Sequence, residues 1–407
     1  MRKVALMVWI SLVLASCAQE KPKVYAVEEL EFAAGEGASL PVLFSGSDLL
    51  ISWVSKPSDS LAVLSYARLK DGAWTQPEPI TQGKYWFVNW ADFPTIVENQ
   101  GSLLSHILQK SAPATFSYDV KLSVLPKGQT GWINGLPLHT DATQTEHGFV
   151  SAIAYTDSSF LVSWLDGRNT GGSSHDHSGH GTGAMSIRAA EVSQDGRVLW
   201  DELLDAKTCD CCQTSSALTA LGPVVVYRNR SDKEIRDIAI TRLVEGKWTE
   251  PSVIHPDGWE IAGCPVNGPR VAAKGNTVLV GWFTAAGAAP KVKFAFSGDA
   301  GATFSSPISL DSAGIIGRVD VALLDDRSGI VSWMETRGEQ TFLRAARVDR
   351  DGNMGTPLSI TAIDPSRKSG FPQLELHGET VYFAWTEVGE KSTRIRTAFL
   401  PQEAFEE

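Results

Sequence analysis

The sequence predicts an all-β chain, a β-propeller of seven four-stranded antiparallel blades whose ring is closed by an N-terminal strand. Three observations predict it. An apolar strand ending at or next to an aromatic or imidazole ring recurs seven times: "LLISW" at Trp53, "LLSHI" at His106, "LVSW" at Trp164, "VVVY" at Tyr227, "VLVGW" at Trp282, "IVSW" at Trp333 and "VYFAW" at Trp385, spaced 51 to 63 residues apart. Each is followed, after a loop, by a strand of alternating polarity such as "VLSYARL" (63–69), "MSIRAAEV" (185–192) or "FLRAARV" (342–348), the pattern of a half-buried antiparallel strand. Turn sequences then introduce a fourth strand, as in "KDGAW" (70–74), "QDGRVLW" (194–200), "EGKW" (245–248) and "RDGNM" (350–354). No amphipathic helix of useful length interrupts this rhythm.

Taken in order, the chain opens with a targeting segment. Arg2 and Lys3 precede an apolar run from Val4 to Leu14, which closes on Leu14-Ala15-Ser16-Cys17. The stretch resembles a bacterial lipoprotein signal, a resemblance that implies lipidation of Cys17 and removal of residues 1–17. Ala18 follows the cysteine, which by the same analogy favours the outer membrane of the cell envelope, periplasmic or surface-facing. The expected membrane anchor is therefore a lipid, and residues 18–407 are read as one propeller domain. The strand "VYAVEELEF" (24–32) belongs to no counted unit, whereas the last unit stops after its third strand near Leu400. The first strand is thus expected to complete the last blade.

Composition narrows the partners. A net charge of −11 with 20% charged residues argues against nucleic acid and against a polybasic membrane surface. A monomer is expected.

The turn "SGDAGATF" carries Ser297, Asp299, Gly301, Thr303 and Phe304 in the S-x-D-x-G-x-T-W/F pattern of the Asp-box. On these residues the chain resembles the sialidase-like, Asp-box-repeat propeller superfamily. The box is a folding turn and specifies no chemistry. The resemblance also raises six blades, the count in sialidases, as an alternative to seven.

Propeller topology sorts the loops. Links between blades and loops from second to third strands share one face, and Asp-box turns lie on the other. "TCDCCQTS" (208–215) enters blade four and "PDGWEIAGCPVNGPR" (256–270) enters blade five, so Cys209, Cys211, Cys212 and Cys264 are expected on one face of adjacent blades. Three readings stay open for them: two structural disulfides, a soft copper or zinc site of up to four thiolates, or a redox-active pair. The glycine-rich loop of blade three places His175, His177 and His180 on the same face, as metal-binding imidazoles or as a solvated polar loop.

The same face receives Asp166, Arg168, Arg228, Arg230, Arg270 and Arg318, candidates for binding an anionic glycan or peptide, while Trp90 and Asp92 offer a stacking rim or a core between blades. The sialidase resemblance implies an N-terminal arginine motif opening the first blade. That segment reads "SLPVLFSG" (39–46) and holds no arginine, so sialidase activity is not expected. The expectation is an envelope binding protein with a copper- or zinc-handling face, the alternative being a glycan-active enzyme of sialidase-like type with its cysteines as disulfides.

Overall fold

The computed structural model describes residues 25–171 and 183–406. Seven antiparallel sheets follow one another around a ring. Blade one starts at Ala38–Ser45, blade two at Ile96–Asn99, blade three at His147–Thr156, blade four at Ser215–Thr219, blade five at Arg270–Lys274, blade six at Ile315–Leu323 and blade seven at Gln373–His377. The count is seven. Closure takes the expected form: Glu28–Leu30 pairs antiparallel with Thr393–Pro401, with Glu28 opposite Phe399 and Leu30 opposite Thr397.

The repeated aromatics explain why the sheets form here. Second strands are buried on both faces, as in Ser159–Asp166 and Thr277–Thr284, whose residues are all buried. Trp53, Trp164, Trp282 and Trp333 are at most 2% exposed and fill the space between neighbouring blades. A buried indole N–H needs an acceptor. Trp164 donates to Asp166 at 2.9 Å and Trp333 to Glu335 at 3.0 Å, so "SWLD" and "SWME" are one device used twice. Blade two substitutes His106, wholly buried, whose Nδ1 accepts from the Thr95 backbone; burial pushes its pKa down to about 3, so it is neutral.

Fourth strands are less regular than the sequence pattern suggests. In blades one and four the "KDGAW" and "EGKW" turns make only two-residue ladders, Ala73–Trp74 and Lys247–Trp248. Separate strands, Glu78–Gly83 and Ser252–Val253, then return to the sheet. The Asp-box is a closed turn: Asp299 accepts from the Thr303 amide at 2.9 Å, from the Thr303 hydroxyl at 2.6 Å and from the Ser297 hydroxyl at 2.7 Å. Among the described residues no helix is long and apolar enough to cross a membrane.

Candidate functional site

The link from the last strand of blade three (Val198–Thr208) into blade four carries three sulfurs that lie within 4.8 Å of one another. Cys209 Sγ and Cys212 Sγ are 3.7 Å apart, and none of Cys209, Cys211, Cys212 and Cys264 is bridged. The cluster is held from several sides. The Cys209 amide donates to the Arg228 carbonyl at 3.0 Å, tying the link to the second strand of blade four, Gly222–Arg228. Gln213 donates across the ring to the Ala91 carbonyl at 2.6 Å and accepts from the Gly268 amide at 2.9 Å, which draws the next link alongside. Gly268 is required there, because a Cβ would collide with the Gln213 backbone. The carboxylate of Asp237 fixes the other end of that link through the Gly258 and Trp259 amides, both at 3.0 Å.

The thiols are not equivalent. Cys209 is held well below the ordinary thiol pKa, first by hydrogen bonds from Cys211 and Cys212 and, against the cost of burial, by the Arg236 and Arg228 guanidiniums. Arg236 Nη1 donates to Cys209 Sγ at 3.2 Å. Cys212 is pushed up by burial and by the neighbouring Cys209 charge. Cys211 is raised by burial and by its contacts with Cys209, Cys212 and Cys264. The surroundings therefore favour negative charge on Cys209 over Cys211 and Cys212. Cys264 reaches Cys211 from an exposed position on the facing link, while Cys209 and Cys212 are 1% and 2% exposed.

Near the sulfurs lies a group of which only Asp92 was singled out in the sequence. Tyr118 donates to Glu146 at 2.5 Å and faces Asp92 at 3.4 Å. Burial lifts Glu146 to about 8, with the nearby Asp92, Asp210 and Cys264 adding to the rise, and lifts Asp92 to about 7 against a bond from the Phe149 amide. Both carboxyls have folded-state pKa values above their unfolded ones. Their contribution to stability is complete below about pH 4 and is lost as pH rises through about 7 to 8. Glu146→Gln is expected to flatten the fall of the unfolding midpoint between about pH 4 and 8; a fall as steep as in the unsubstituted chain would contradict the assignment.

The proposed ligand-binding residues are mostly engaged within the fold. Asp166 and Arg168 form a two-pronged pair, with Nε and Nη2 at 2.8 and 2.7 Å from the carboxylate. Arg228 donates to the carbonyls of Asn267, Arg236 and Phe283 and lies 4.8 Å from the Trp259 ring. Arg230 pairs with Asp210 and Glu234. Arg318 donates to Ser369 and to the Gly370 and Ser366 carbonyls, and its surroundings depress its pKa to about 10, chiefly through burial. Trp90 stacks on Phe371 at 5.6 Å, with Arg318 and Arg367 over its ring, and Asp92 holds the Phe149 amide. Arg270 lies over Phe93, 3.8 Å from Asp320. These residues join links of different blades. His175, His177, His180 and Cys17 lie outside the described residues.

Neither a family model nor a curated protein matches the chain. Solved structures do. A protein of unknown function from Dyadobacter fermentans shares 14% identity over 92% of this chain and 98% of its own, with a TM-score of 0.52. The phage phi92 endosialidase shares 10% identity over 93% of this chain and 69% of its own, with a TM-score of 0.51. Polysaccharide lyase Uly1 shares 7% identity over 91% and 90%, with a TM-score of 0.49. At such identities the likeness concerns the fold alone, a β-propeller that the phage endosialidase shares.

Proposed function

We propose that this chain is a lipid-anchored envelope protein that binds a thiophilic metal ion, Cu(I) ahead of Zn(II), on Cys209, Cys211 and Cys212, with Cys264 at the mouth of the site. The observation that carries this reading is three unbridged sulfurs within 4.8 Å, one of them accepting a hydrogen bond from the Arg236 guanidinium at 3.2 Å. An ion about 2.3 Å from each sulfur separates them by about 3.8–4.0 Å, close to the 3.7 Å between Cys209 and Cys212. Soft sulfur ligands select Cu(I) and zinc. Arg228 and Arg236 lie beside the sulfurs and offset part of the negative charge that three thiolates around either ion would leave, Arg236 while also pairing with Glu234. The anchor rests on the sequence of residues 1–17, and the histidine loop would supply imidazoles near the same face.

The alternative, a glycan-active enzyme, draws support from the fold of the phage endosialidase and from the buried Tyr118–Glu146 pair. The spent guanidiniums of Arg168, Arg228, Arg230 and Arg318 weigh against a carboxylate clamp built from them.

The test is a competition titration of the reduced, full mature chain. One tightly held Cu(I) per chain and four titratable thiols downstream of Cys17 before loading are expected. Two disulfides in protein isolated without reductant, and no copper retained, would overturn the reading.

A further inference from the structure

A second group of ligands lies one blade away and involves none of the cysteines. The link 138–147 enters blade three at His147, and the second strand of that blade ends at Asp166. His147 Nε2 lies 3.3 Å from Asp141 Oδ2 and 3.8 Å from Asp166 Oδ1, and the three atoms lie within 4.8 Å of one another. His147 is 0% exposed, and its Nε2 makes no hydrogen bond. Its other nitrogen faces the Tyr118 carbonyl at 3.2 Å and must donate to it. That bond places a proton on Nδ1 and leaves Nε2, without a hydrogen bond of its own, facing two carboxylates, an arrangement that suits a metal-ligating histidine.

The neighbours cannot relieve it. His139 stacks on His147 at 3.8 Å, but its Nε2 accepts from the Val120 amide and its Nδ1 donates to Asp141 at 2.7 Å, so it is neutral. Around the two imidazoles, the four carboxylates of Asp119, Asp141, Asp166 and Asp201 face three cationic side chains, Lys121, Arg168 and Arg188. His147 Nε2 lies buried among these carboxylates with no hydrogen bond. An ion about 2.1 Å from nitrogen and oxygen ligands separates them by about 3.0–3.4 Å, the scale of the spacing seen. Arg168 and Thr143, each bonded to one of the two carboxylates, also line an open cavity of about 550 Å³, which places solvent-filled space one side chain away from the buried ligands.

We propose that His147, Asp141 and Asp166 form a binding site for a divalent transition-metal ion, with Asp166 giving up its Arg168 Nε bond to the incoming ion. One imidazole and two carboxylates suit Mn(II), Fe(II) or Zn(II) rather than Cu(I). The site is independent of the cysteine reading.

Mn(II) is the discriminating probe because it has little affinity for thiolates. The full mature chain, titrated while the free-ion paramagnetic resonance is followed, is expected to bind one Mn(II). Cys209→Ser should bind it equally, and His147→Gln and Asp141→Asn at least tenfold more weakly. A crystal of the unsubstituted chain soaked in Mn(II) supplies a measurement that no folding defect can blur: an anomalous peak beside Nε2 is expected. The alternative is a proton on Nε2, making His147 a purely structural imidazolium. Absence of that peak, or equal binding by the unsubstituted chain and both variants, would establish the alternative and overturn the site.

Discussion

Cys209→Ser is expected to lower Cu(I) affinity by at least a hundredfold, about 3 kcal/mol, while leaving the unfolding midpoint close to that of the unsubstituted chain. The asymmetry follows from what surrounds this sulfur. Cys209 is the sulfur whose surroundings most favour a thiolate, through hydrogen bonds from Cys211 and Cys212 and from Arg236 at 3.2 Å. A serine fills nearly the same space but stays protonated, so the site loses its one preformed anionic ligand. Cys264→Ser should cost far less, since Cys264 stands exposed at the rim. Arg236→Met should act through Cys209, raising the pH at which thiolate absorbance appears in the ultraviolet. Competition titration of the three variants checks the order; equal affinities for Cys209→Ser and Cys264→Ser would contradict it.

Removing residues 25–33 is expected to open the ring. Three ladder positions opposite Thr397–Phe399 disappear. So does Phe32, whose ring meets Trp53 at 4.8 Å and Trp74 at 5.6 Å where blade seven adjoins blade one. The Arg396–Glu29 pair, at 2.8 Å, adds little because both partners are exposed. Loss of a packed aromatic anchor costs about 3–5 kcal/mol, which for a chain of this size lowers the unfolding midpoint by roughly 5 °C. The freed edge of Thr393–Pro401 should also pair with another copy, giving association that grows with concentration. Calorimetry and light scattering check both; a monomer with an unchanged midpoint would show that the N-terminal strand does not close the ring.

The blades were legible because each repeats the same physical requirement, an apolar strand buried on both faces and ended by a large ring. The meeting of Cys264 with the crowded thiols was legible too, from topology, since links of adjacent blades share a face. What surrounds them was not. Arg236 sits in "SDKEIRD", which reads as a solvated charged turn, yet its side chain is only 4% exposed and points at Cys209. The arginines read as ligand-binding illustrate the converse: sequence places Arg228 and Arg318 on the correct face but cannot show that backbone carbonyls claim their donors. "HTDATQTEHG" (139–148) carried no recognisable spacing, because His147, Asp141 and Asp166 are joined by the fold of blade three and the bond from Nδ1 to Tyr118 is visible only in three dimensions.

The central claim is that three thiols, not imidazoles or carboxylates, hold the copper. X-ray absorption at the copper edge of the Cu(I)-loaded mature chain tests it most directly. Three sulfur neighbours at about 2.3 Å and no nitrogen or oxygen in the first shell are expected. A shell of nitrogen or oxygen atoms, unchanged in Cys209→Ser, would contradict it.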